Sequence, residues 1–373
     1  MAQNSDLQQI IEVIQERYAP DRRVVLFQVE ALQQKDTLVL QGETTSRHAY
    51  EDILSFAQQI STEVKNNIRL LPDEELGEEI WGVVYNSVGS LHAEPRHAAE
   101  MVTQVLLGMP VKILEEKGGW RRVQTPDRYI GWINGSVTPL SKEGLNHYLQ
   151  KPKVIITALN TRSYVDAGHE TLPVSDLVAS NMLELVSADR AYYWVRYPDG
   201  RKAYVKKSDA MEVVDWLREI RLTGESIVES AMQLLGIPYL WGGTSVKGMD
   251  CSGFTKQVYF MHGIILARDA SQQVRYGRLV DDTGNFTDAL PGDLLFFGAK
   301  AIEEVAEKVV HVGIYLGNRR FTHASDYIRV NSFDPADSLY DPFNTNRYLR
   351  TKRIIGEVQS EGAEELLSNA FYR

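Results

Sequence analysis

The chain has 373 residues, and at roughly 150 residues per domain this length favours two to four domains over one. Its hydrophobic fraction of 43% and charged fraction of 24% are typical of a folded globular protein and exclude a disordered or collagen-like chain. The 40 Lys and Arg residues and 50 Asp and Glu residues give a formal net charge of −10, which argues against nucleic acid as a general partner.

Residues 1–75 are predicted to form a small α/β domain. Apolar residues at helical spacing over 10–14 and 49–60 indicate two helices, and β-rich runs at 24–29 and 37–40 indicate two strands. We identify no catalytic chemistry in this domain, so its role is not predicted.

Residues 80–145 and 152–217 share one plan of short strand-like pieces separated by Gly, Pro and Asp turns. In the first segment, residues 118–133 contain a strand, a Pro-Asp turn and a strand with an aromatic side chain, and residues 191–205 repeat this order. The repeat predicts two small β-barrels in tandem, which resemble the bacterial SH3-like domains that accompany cell-wall hydrolases. The alternative is one irregular β-sandwich.

Residues 222–373 are predicted to form the last domain, in which helices pack on an antiparallel sheet in an α+β arrangement. Thr223 is expected to cap a helix that Gly236 ends, and a second helix is predicted over 252–261. The predicted strands are 294–297, 309–316, 320–322 and 354–358.

The chain has no apolar run of about 18 residues, so no membrane span is predicted. Its first residues contain neither the basic segment nor the apolar segment of a signal peptide. The protein is therefore expected in the cytoplasm, or in the periplasm or cell envelope if a signal peptide has been removed.

Cys251 is the single cysteine of the chain, so an intramolecular disulfide and a cysteine-based zinc site are excluded. It lies where a glycine-rich approach meets the helix predicted over 252–261. The free N–H groups and positive dipole end of a helix N-terminus favour a thiolate, which is the nucleophilic form of cysteine. The alternative is a buried structural cysteine.

Two histidines are candidate partners of this cysteine. Alternation along the strand predicted over 309–316 places His311 and Gly313 on one face and Val310 on the opposite, apolar face. Gly313 is expected to leave room for the close approach of a helix N-terminus or a substrate. A hairpin would bring His323 beside His311, which can then act as general base while His323 orients it. Taken alone, each histidine is as well explained by a structural role.

Four motifs carry a resemblance to a known family: Tyr-Leu-Trp-Gly-Gly at 239–243, Asp-Cys-Ser-Gly-Phe at 250–254, Pro-Gly-Asp-Leu-Leu-Phe-Phe at 291–297 and His-Val-Gly-Ile-Tyr-Leu-Gly at 311–317. In order and spacing they resemble the NlpC-type cell-wall cysteine peptidases. The resemblance implies a papain-like α+β peptidase domain with Cys251 as nucleophile, His311 as general base and His323 as the orienting polar residue. Val310 departs from close relatives, which can carry a second histidine there.

The two SH3-like domains before the peptidase domain resemble the arrangement in γ-D-glutamyl-L-diamino acid endopeptidases. This implies cleavage of the γ-D-Glu to diamino-acid bond in peptidoglycan stem peptides whose N-terminal L-Ala is free. It also implies that Glu94 and Tyr129 contact the amine end of the substrate and that Ser271 lines the pocket. Ordinary turn positions are the alternative for Glu94 and Tyr129.

Residues next to the cysteine are further candidates for substrate binding. Asp250, backed by the hydroxyl of Ser252, suits a free ammonium group, and Tyr239 and Trp241 precede it in the glycine-rich approach. The alternative for Asp250 is that it merely caps the helix. No cofactor or metal is expected, and no His-Glu-x-x-His motif occurs.

Two other functions stay open at this point. One is a papain-like amidase or acyltransferase acting on a lipid or another amide, which would need neither Asp250 nor the SH3-like domains. The other is a non-catalytic cell-wall-binding protein, which would have no reason to keep Cys251, His311 and His323 together. The protein is expected to be a monomer, and the sequence does not distinguish diaminopimelate from lysine in the substrate.

Overall fold

The computed structural model describes residues 2–358 and 361–373. Residue 1 of the predicted N-terminal domain and residues 359 and 360 of the predicted peptidase domain lie outside the described residues. Within the described ranges, no helix is both long and apolar enough to cross a membrane.

The N-terminal unit is a three-stranded sheet with two helices packed on it. Its elements are α1 (Ala2–Tyr18), β1 (Phe27–Gln34), β2 (Thr37–Thr44), α2 (Arg47–Ile60) and β3 (Val64–Leu70). β1 and β2 pair antiparallel, whereas β3 pairs parallel with β2, so α2 serves as the crossover that parallel neighbours require. Ile53 of α2 packs with Ile11 and Leu40 in the core of this unit. The strand predicted over 24–29 begins only at Phe27.

The middle of the chain forms two seven-stranded antiparallel sheets. The first sheet, which precedes α3 (Lys142–Gln150), contains β4 (Trp81–Val84), β5 (Val88–His92), β6 (Met101–Leu106), β7 (Pro110–Lys117), β8 (Trp120–Gln124), β9 (Ile130–Asn134) and β10 (Val137–Leu140). The second sheet, which precedes α4 (Val213–Glu219), contains β11 (Lys153–Ile156), β12 (Asn160–Asp166), β13 (His169–Val178), β14 (Met182–Ala188), β15 (Tyr192–Arg196), β16 (Lys202–Lys206) and β17 (Ala210–Glu212). If the strands of each sheet are renumbered 1 to 7 in chain order, both sheets have the spatial order 7-1-4-5-6-2-3. This shared order supports the predicted repeat.

The C-terminal part carries a six-stranded antiparallel sheet with helices packed on it. Its helices are α5 (Gly224–Gln233), α6 (Cys251–Phe260), α7 (Ala270–Gln273) and α8 (Pro342–Asn346). Its strands are β18 (Thr244–Ser245), β19 (Gly248–Met249), β20 (Ile264–Leu266), β21 (Arg278–Asp281), β22 (Leu294–Ala299), β23 (Lys308–Gly317), β24 (Arg320–Ser325), β25 (Tyr327–Ser332), β26 (Tyr348–Arg353) and β27 (Ala363–Glu365). The large sheet has the order β21-β26-β22-β23-β24-β25.

Helix α6 is the central element of this part because it is buried against the sheet. Its Phe254 and Val258 share a core with Phe296 of β22 and with Val312 and Ile314 of β23. This packing brings the N-terminus of α6 close to the middle of β23, where the cysteine and histidine motifs meet.

The predicted strand 354–358 is wrong, because β26 already ends at Arg353. The Glu357 N–H donates to the Ile354 carbonyl in a turn that contains Gly356 at φ 84°. Ile354 is nevertheless buried in the core. Its apolar character therefore reflects burial and not strand pairing.

The expected alternation along β23 fails at Val310. The register between β22 and β23 shifts there, since Phe297 pairs with His311 while Gly298 pairs with Val309. Val310 is the extra residue of this bulge and is 47% exposed, so it does not lie on the buried apolar face.

Candidate active site

Cys251 is the first residue of α6, and Asp250 is the N-cap of that helix. The Gly253 N–H donates to Oδ1 of Asp250 at 2.7 Å, which satisfies one of the free donors at the helix start. A Cβ at position 253 would lie 1.9 Å from the carbonyl oxygen of Gly243, so only glycine lets the helix approach the preceding loop this closely. These contacts fix the position of the sulfur.

The carboxylate of Asp250 is fully engaged inside the protein. Arg268, which is 1% exposed, donates from Nη2 to Oδ2 at 2.5 Å and from Nη1 to Oδ1 at 3.1 Å. The Gly242 N–H also donates to Oδ2, at 3.0 Å. Nη1 of Arg268 also donates to Oγ of Ser252 at 3.0 Å, and its Nε donates to Oγ1 of Thr103 at 2.9 Å. The structure therefore favours the capping role of Asp250 and leaves it without a free oxygen for a substrate ammonium group.

A cavity of about 480 Å³ opens beside Cys251. Three parts of the chain form its walls: the N-terminal unit, the first seven-stranded sheet and the C-terminal part. Of the residues singled out from the sequence, the cavity brings together Cys251, His311, Tyr129, Tyr239, Trp241, Asp250, Ser252 and Ser271. Its size is within the usual range of small-molecule sites.

The two histidines lie on neighbouring strands and hydrogen-bond to each other. Nε2 of His311 is 2.7 Å from Nδ1 of His323, and Nε2 of His323 is 2.9 Å from Oδ1 of Asn331. His323 is fully buried behind His311 and does not line the cavity. A Cβ on Gly313 would lie 2.9 Å from the Thr322 carbonyl oxygen and 3.2 Å from Cβ of His323. The close approach that Gly313 permits is therefore that of the adjacent strand β24, whereas the sequence predicted a helix N-terminus or a substrate.

Burial keeps the cysteine and the histidine pair uncharged. Burial, with the negative charge of Asp250, raises the pKa of Cys251 to about 12, although the backbone N–H groups of Val312 and Ser252 act in the opposite direction. Burial holds the pKa of His311 well below 6.5 and lowers that of His323 to about 4. The expectation of a resting thiolate is thus corrected: desolvation outweighs the helix N-terminus, and the resting pair is a thiol and a neutral imidazole.

The structure does not bring Glu94 into the cavity. Its side chain is 60% exposed, and its carboxylate accepts from Nε of Arg96 at 3.0 Å. Another acid of the same sheet unit, Glu100, lines the cavity and accepts from Nε1 of Trp241 at 2.7 Å. The contact expected of Glu94 is therefore not supported by its position, because the chain turns it toward solvent.

Two further cavity residues, Arg23 and Asp269, were not singled out from the sequence, although Asp269 lies two positions before the predicted pocket residue Ser271. Nη1 of Arg23 donates to Oδ2 of Asp269 at 2.7 Å and to Oγ of Ser271 at 2.9 Å, while its Nη2 donates to Asp21 at 2.7 Å. The hydroxyl of Tyr129 donates to the same Oδ2 of Asp269 at 3.2 Å. Asp269 directly follows Arg268 in the chain, but nothing in the sequence indicates that Arg23 lies near it. Only the tertiary structure joins them.

Comparisons with known proteins identify the family. Residues 236–353 match the model of the NlpC/P60 family, and residues 91–136 match the model of the bacterial dipeptidyl-peptidase Sh3 domain. A gamma-D-glutamyl-L-lysine dipeptidyl-peptidase of Bacillus cereus is 32% identical over 238 residues, which are 61% of this chain and 68% of the relative. The chain belongs to the NlpC/P60 family. It is a cysteine peptidase, as the motifs predicted.

A second relative agrees with this assignment, and a solved structure shares the fold. The gamma-D-glutamyl-L-lysine dipeptidyl-peptidase of Bacillus subtilis is 31% identical over 237 residues, covering 60% of this chain and 71% of the relative. A crystal structure of an NlpC/P60 family protein from Bacillus cereus superposes with a TM-score of 0.62 at 24% identity, covering 73% of this chain and 99% of that chain. The predicted multidomain α+β fold, with a papain-like peptidase domain after an SH3-like domain, is therefore confirmed.

Proposed function

We propose that the protein hydrolyses the γ-D-Glu to diamino-acid amide bond of peptidoglycan stem peptides whose N-terminal L-Ala is free. The observation that carries the proposal is the cavity in which Cys251 and His311 lie together with residues of the first seven-stranded sheet. A cysteine peptidase needs a cysteine nucleophile, and Cys251 is the only cysteine in the chain. The two Bacillus relatives are gamma-D-glutamyl-L-lysine dipeptidyl-peptidases, and their activity suggests the class of bond.

In the proposed reaction His311 acts as the general base. It takes the thiol proton while Sγ of Cys251 attacks the carbonyl carbon, because the resting pair is neutral. The backbone N–H of Cys251, one of the free donors at the start of α6, is proposed to donate to the developing oxyanion. His311 then returns the proton to the leaving amine, and the thioester that remains is hydrolysed by water activated in the same way.

The free amine of the substrate is proposed to meet Asp269 and not Asp250. Asp250 has no free oxygen, whereas Asp269, although its Oδ2 accepts from Arg23 at 2.7 Å, has a side chain that is 27% exposed and lies on the cavity wall beside the Tyr129 hydroxyl. Glu100 is a second acid on the same wall. Two carboxylates beside a tyrosine hydroxyl suit an ammonium group, which donates three hydrogen bonds.

The walls of the cavity support a short, free peptide as substrate. Arg23 from the N-terminal unit and Tyr129 from the first seven-stranded sheet both donate hydrogen bonds to Asp269. These two parts of the chain therefore enclose the end of the cavity at which the substrate amine is proposed to bind. A stem peptide that still carries a glycan on its L-Ala would lack the ammonium charge and would have to extend through this wall.

The test compares kcat/KM for free and N-acetylated L-Ala-γ-D-Glu-diamino acid. Loss of one charge-assisted hydrogen bond costs about 1.5–3 kcal/mol, so the wild type should prefer the free amine by roughly tenfold to 150-fold. Asp269→Asn should reduce this preference, whereas Glu94→Gln, a change at an exposed acid outside the cavity, should leave it intact. Equal rates on both peptides in the wild type would refute recognition of the amine.

A further inference from the structure

Asn331 on β25 connects the histidine pair to the backbone. Its Nδ2 donates to the carbonyl oxygen of Leu339 at 3.1 Å, and its Oδ1 lies 2.9 Å from Nε2 of His323. His323 in turn contacts His311 through Nδ1 at 2.7 Å from Nε2. Three side chains therefore form one hydrogen-bonded chain that starts at a fixed carbonyl group and ends at the cavity.

The carbonyl of Leu339 sets the direction of every bond in this chain, because a carbonyl oxygen can only accept. Nδ2 of Asn331 must face it, so Oδ1 faces His323 and accepts the proton of its Nε2. The Nδ1 of His323 is then unprotonated and accepts from Nε2 of His311. The proton of His311 thus lies on Nε2, which leaves its Nδ1 free to accept a proton from the cysteine.

We propose that Asn331 is a positioning residue that fixes the tautomers of His323 and His311 and so keeps Nδ1 of His311 available as the base. The proposal rests on the proposed function only in assuming that His311 acts as the base. Without an acceptor at position 331, the proton of His323 can move to Nδ1, and His311 must then carry its own proton on Nδ1. In that arrangement the base toward Cys251 is lost.

The surroundings of His323 favour a neutral ring, and the tautomer of this ring decides which nitrogen of His311 is free to act as the base. Burial lowers the pKa of His323, and the positive charges of Arg329 and Arg347 act in the same direction. The hydrogen bond that His323 donates to Asn331 and the negative charge of Asp341 oppose this shift. His311, whose pKa is also lowered, is in direct contact with the ring. An amide at position 331 accepts the Nε2 proton without adding the negative charge that would favour an imidazolium ion.

The direct test is ¹⁵N NMR of the histidine-labelled 373-residue protein in the Cys251→Ala background, with the ring signals assigned by single His→Gln variants. We expect His311 and His323 to be protonated on Nε2, and His323 to shift toward Nδ1 protonation in Asn331→Leu. Nδ1 protonation of His323 with Asn331 intact, or no change of tautomer in Asn331→Leu, would overturn the proposal. This readout needs no turnover, so it is decided even if the proposed substrate is wrong.

Kinetics supply the second test on the Cys251-containing protein. A buried N–H without an acceptor is costly, so Asn331→Leu should lower kcat about tenfold and leave KM within about twofold. Asn331→Asp keeps an acceptor and should retain kcat within about threefold at pH 8. The acid limb of its kcat–pH profile should move to higher pH, because the carboxylate favours protonated histidine. Equal loss of kcat in the Asp and Leu variants would indicate a merely structural role and contradict the proposal.

A matched control is Asn134→Leu. Asn134, in the first seven-stranded sheet, also donates its side-chain amide to a backbone carbonyl, that of Gly119 at 3.3 Å, but within the described part of the chain it makes no hydrogen bond to a histidine. We expect this variant to keep the wild-type kcat and both histidine tautomers. A tenfold loss of kcat in Asn134→Leu would show that the effect at position 331 is not specific to the histidine chain.

Discussion

Replacing Arg268 with Met should destabilise the protein strongly, because it leaves a buried carboxylate without its cation. The guanidinium is 1% exposed and makes two hydrogen bonds to Asp250, one to Ser252 and one to Thr103. Breaking one side of such a pair costs about 3–5 kcal/mol. The measurement is the free energy of unfolding in urea, followed by tryptophan fluorescence.

The double variant Asp250→Asn, Arg268→Met separates the charge from the loss of packing. Asn caps a helix about as well as Asp, so removing both charges should recover most of the stability lost in Arg268→Met. Arg218→Met is the control, since Arg218 is 73% exposed and pairs with Asp215 on the surface, and it should change stability little. An Arg268→Met protein within about 1 kcal/mol of wild type, or a double variant as unstable as the single one, would refute the reasoning.

Three further predictions concern the helix start and the histidines. Gly253→Ala should lower kcat at saturating substrate more than about tenfold, because the new Cβ would lie 1.9 Å from the Gly243 carbonyl oxygen and displace Cys251. An unchanged kcat would contradict this prediction and show that the loop can relax. Because burial lowers the pKa of His323 from 6.5 to about 4, its contribution to stability is complete above pH 6.5 and is lost as the pH falls toward 4. The free energy of unfolding should fall by an amount on the order of 3 kcal/mol over this pH range, and His323→Asn should lack this fall; urea titrations at a series of pH values measure it. The pKa of His311 lies well below 6.5, so the acid limb of kcat/KM should have its midpoint below pH 6.5, and a midpoint above it would contradict a neutral base.

The local chemistry of the site could be predicted from the sequence because it is encoded in short segments. A single cysteine before an apolar helix, and two histidines separated by one hairpin turn, are patterns in which sequence spacing fixes spatial proximity. The structure shows the hairpin contact between His311 and His323. The repeat was also visible, since each copy keeps its own strands and turns in sequence.

The features of the site that the sequence did not predict depend on contacts between distant parts of the chain. Arg23 reaches Asp269 across 246 positions, and no periodicity in the N-terminal unit indicates this contact. The buried ion pair between Arg268 and Asp250 and the raised pKa of Cys251 both depend on burial, which motif spacing does not reveal. The resemblance implies a substrate contact for Glu94, whereas Glu100, six positions later in the same turn-rich stretch, is the acid that lines the cavity.

The most direct test of the central claim is mass spectrometry of L-Ala-γ-D-Glu-diamino acid after incubation with the wild-type protein and with Cys251→Ala. The wild type should release L-Ala-γ-D-Glu and the free diamino acid, and the Cys251→Ala protein should leave the tripeptide intact. Cleavage at the L-Ala to D-Glu bond, an uncleaved tripeptide with the wild type, or undiminished cleavage by Cys251→Ala would contradict the account.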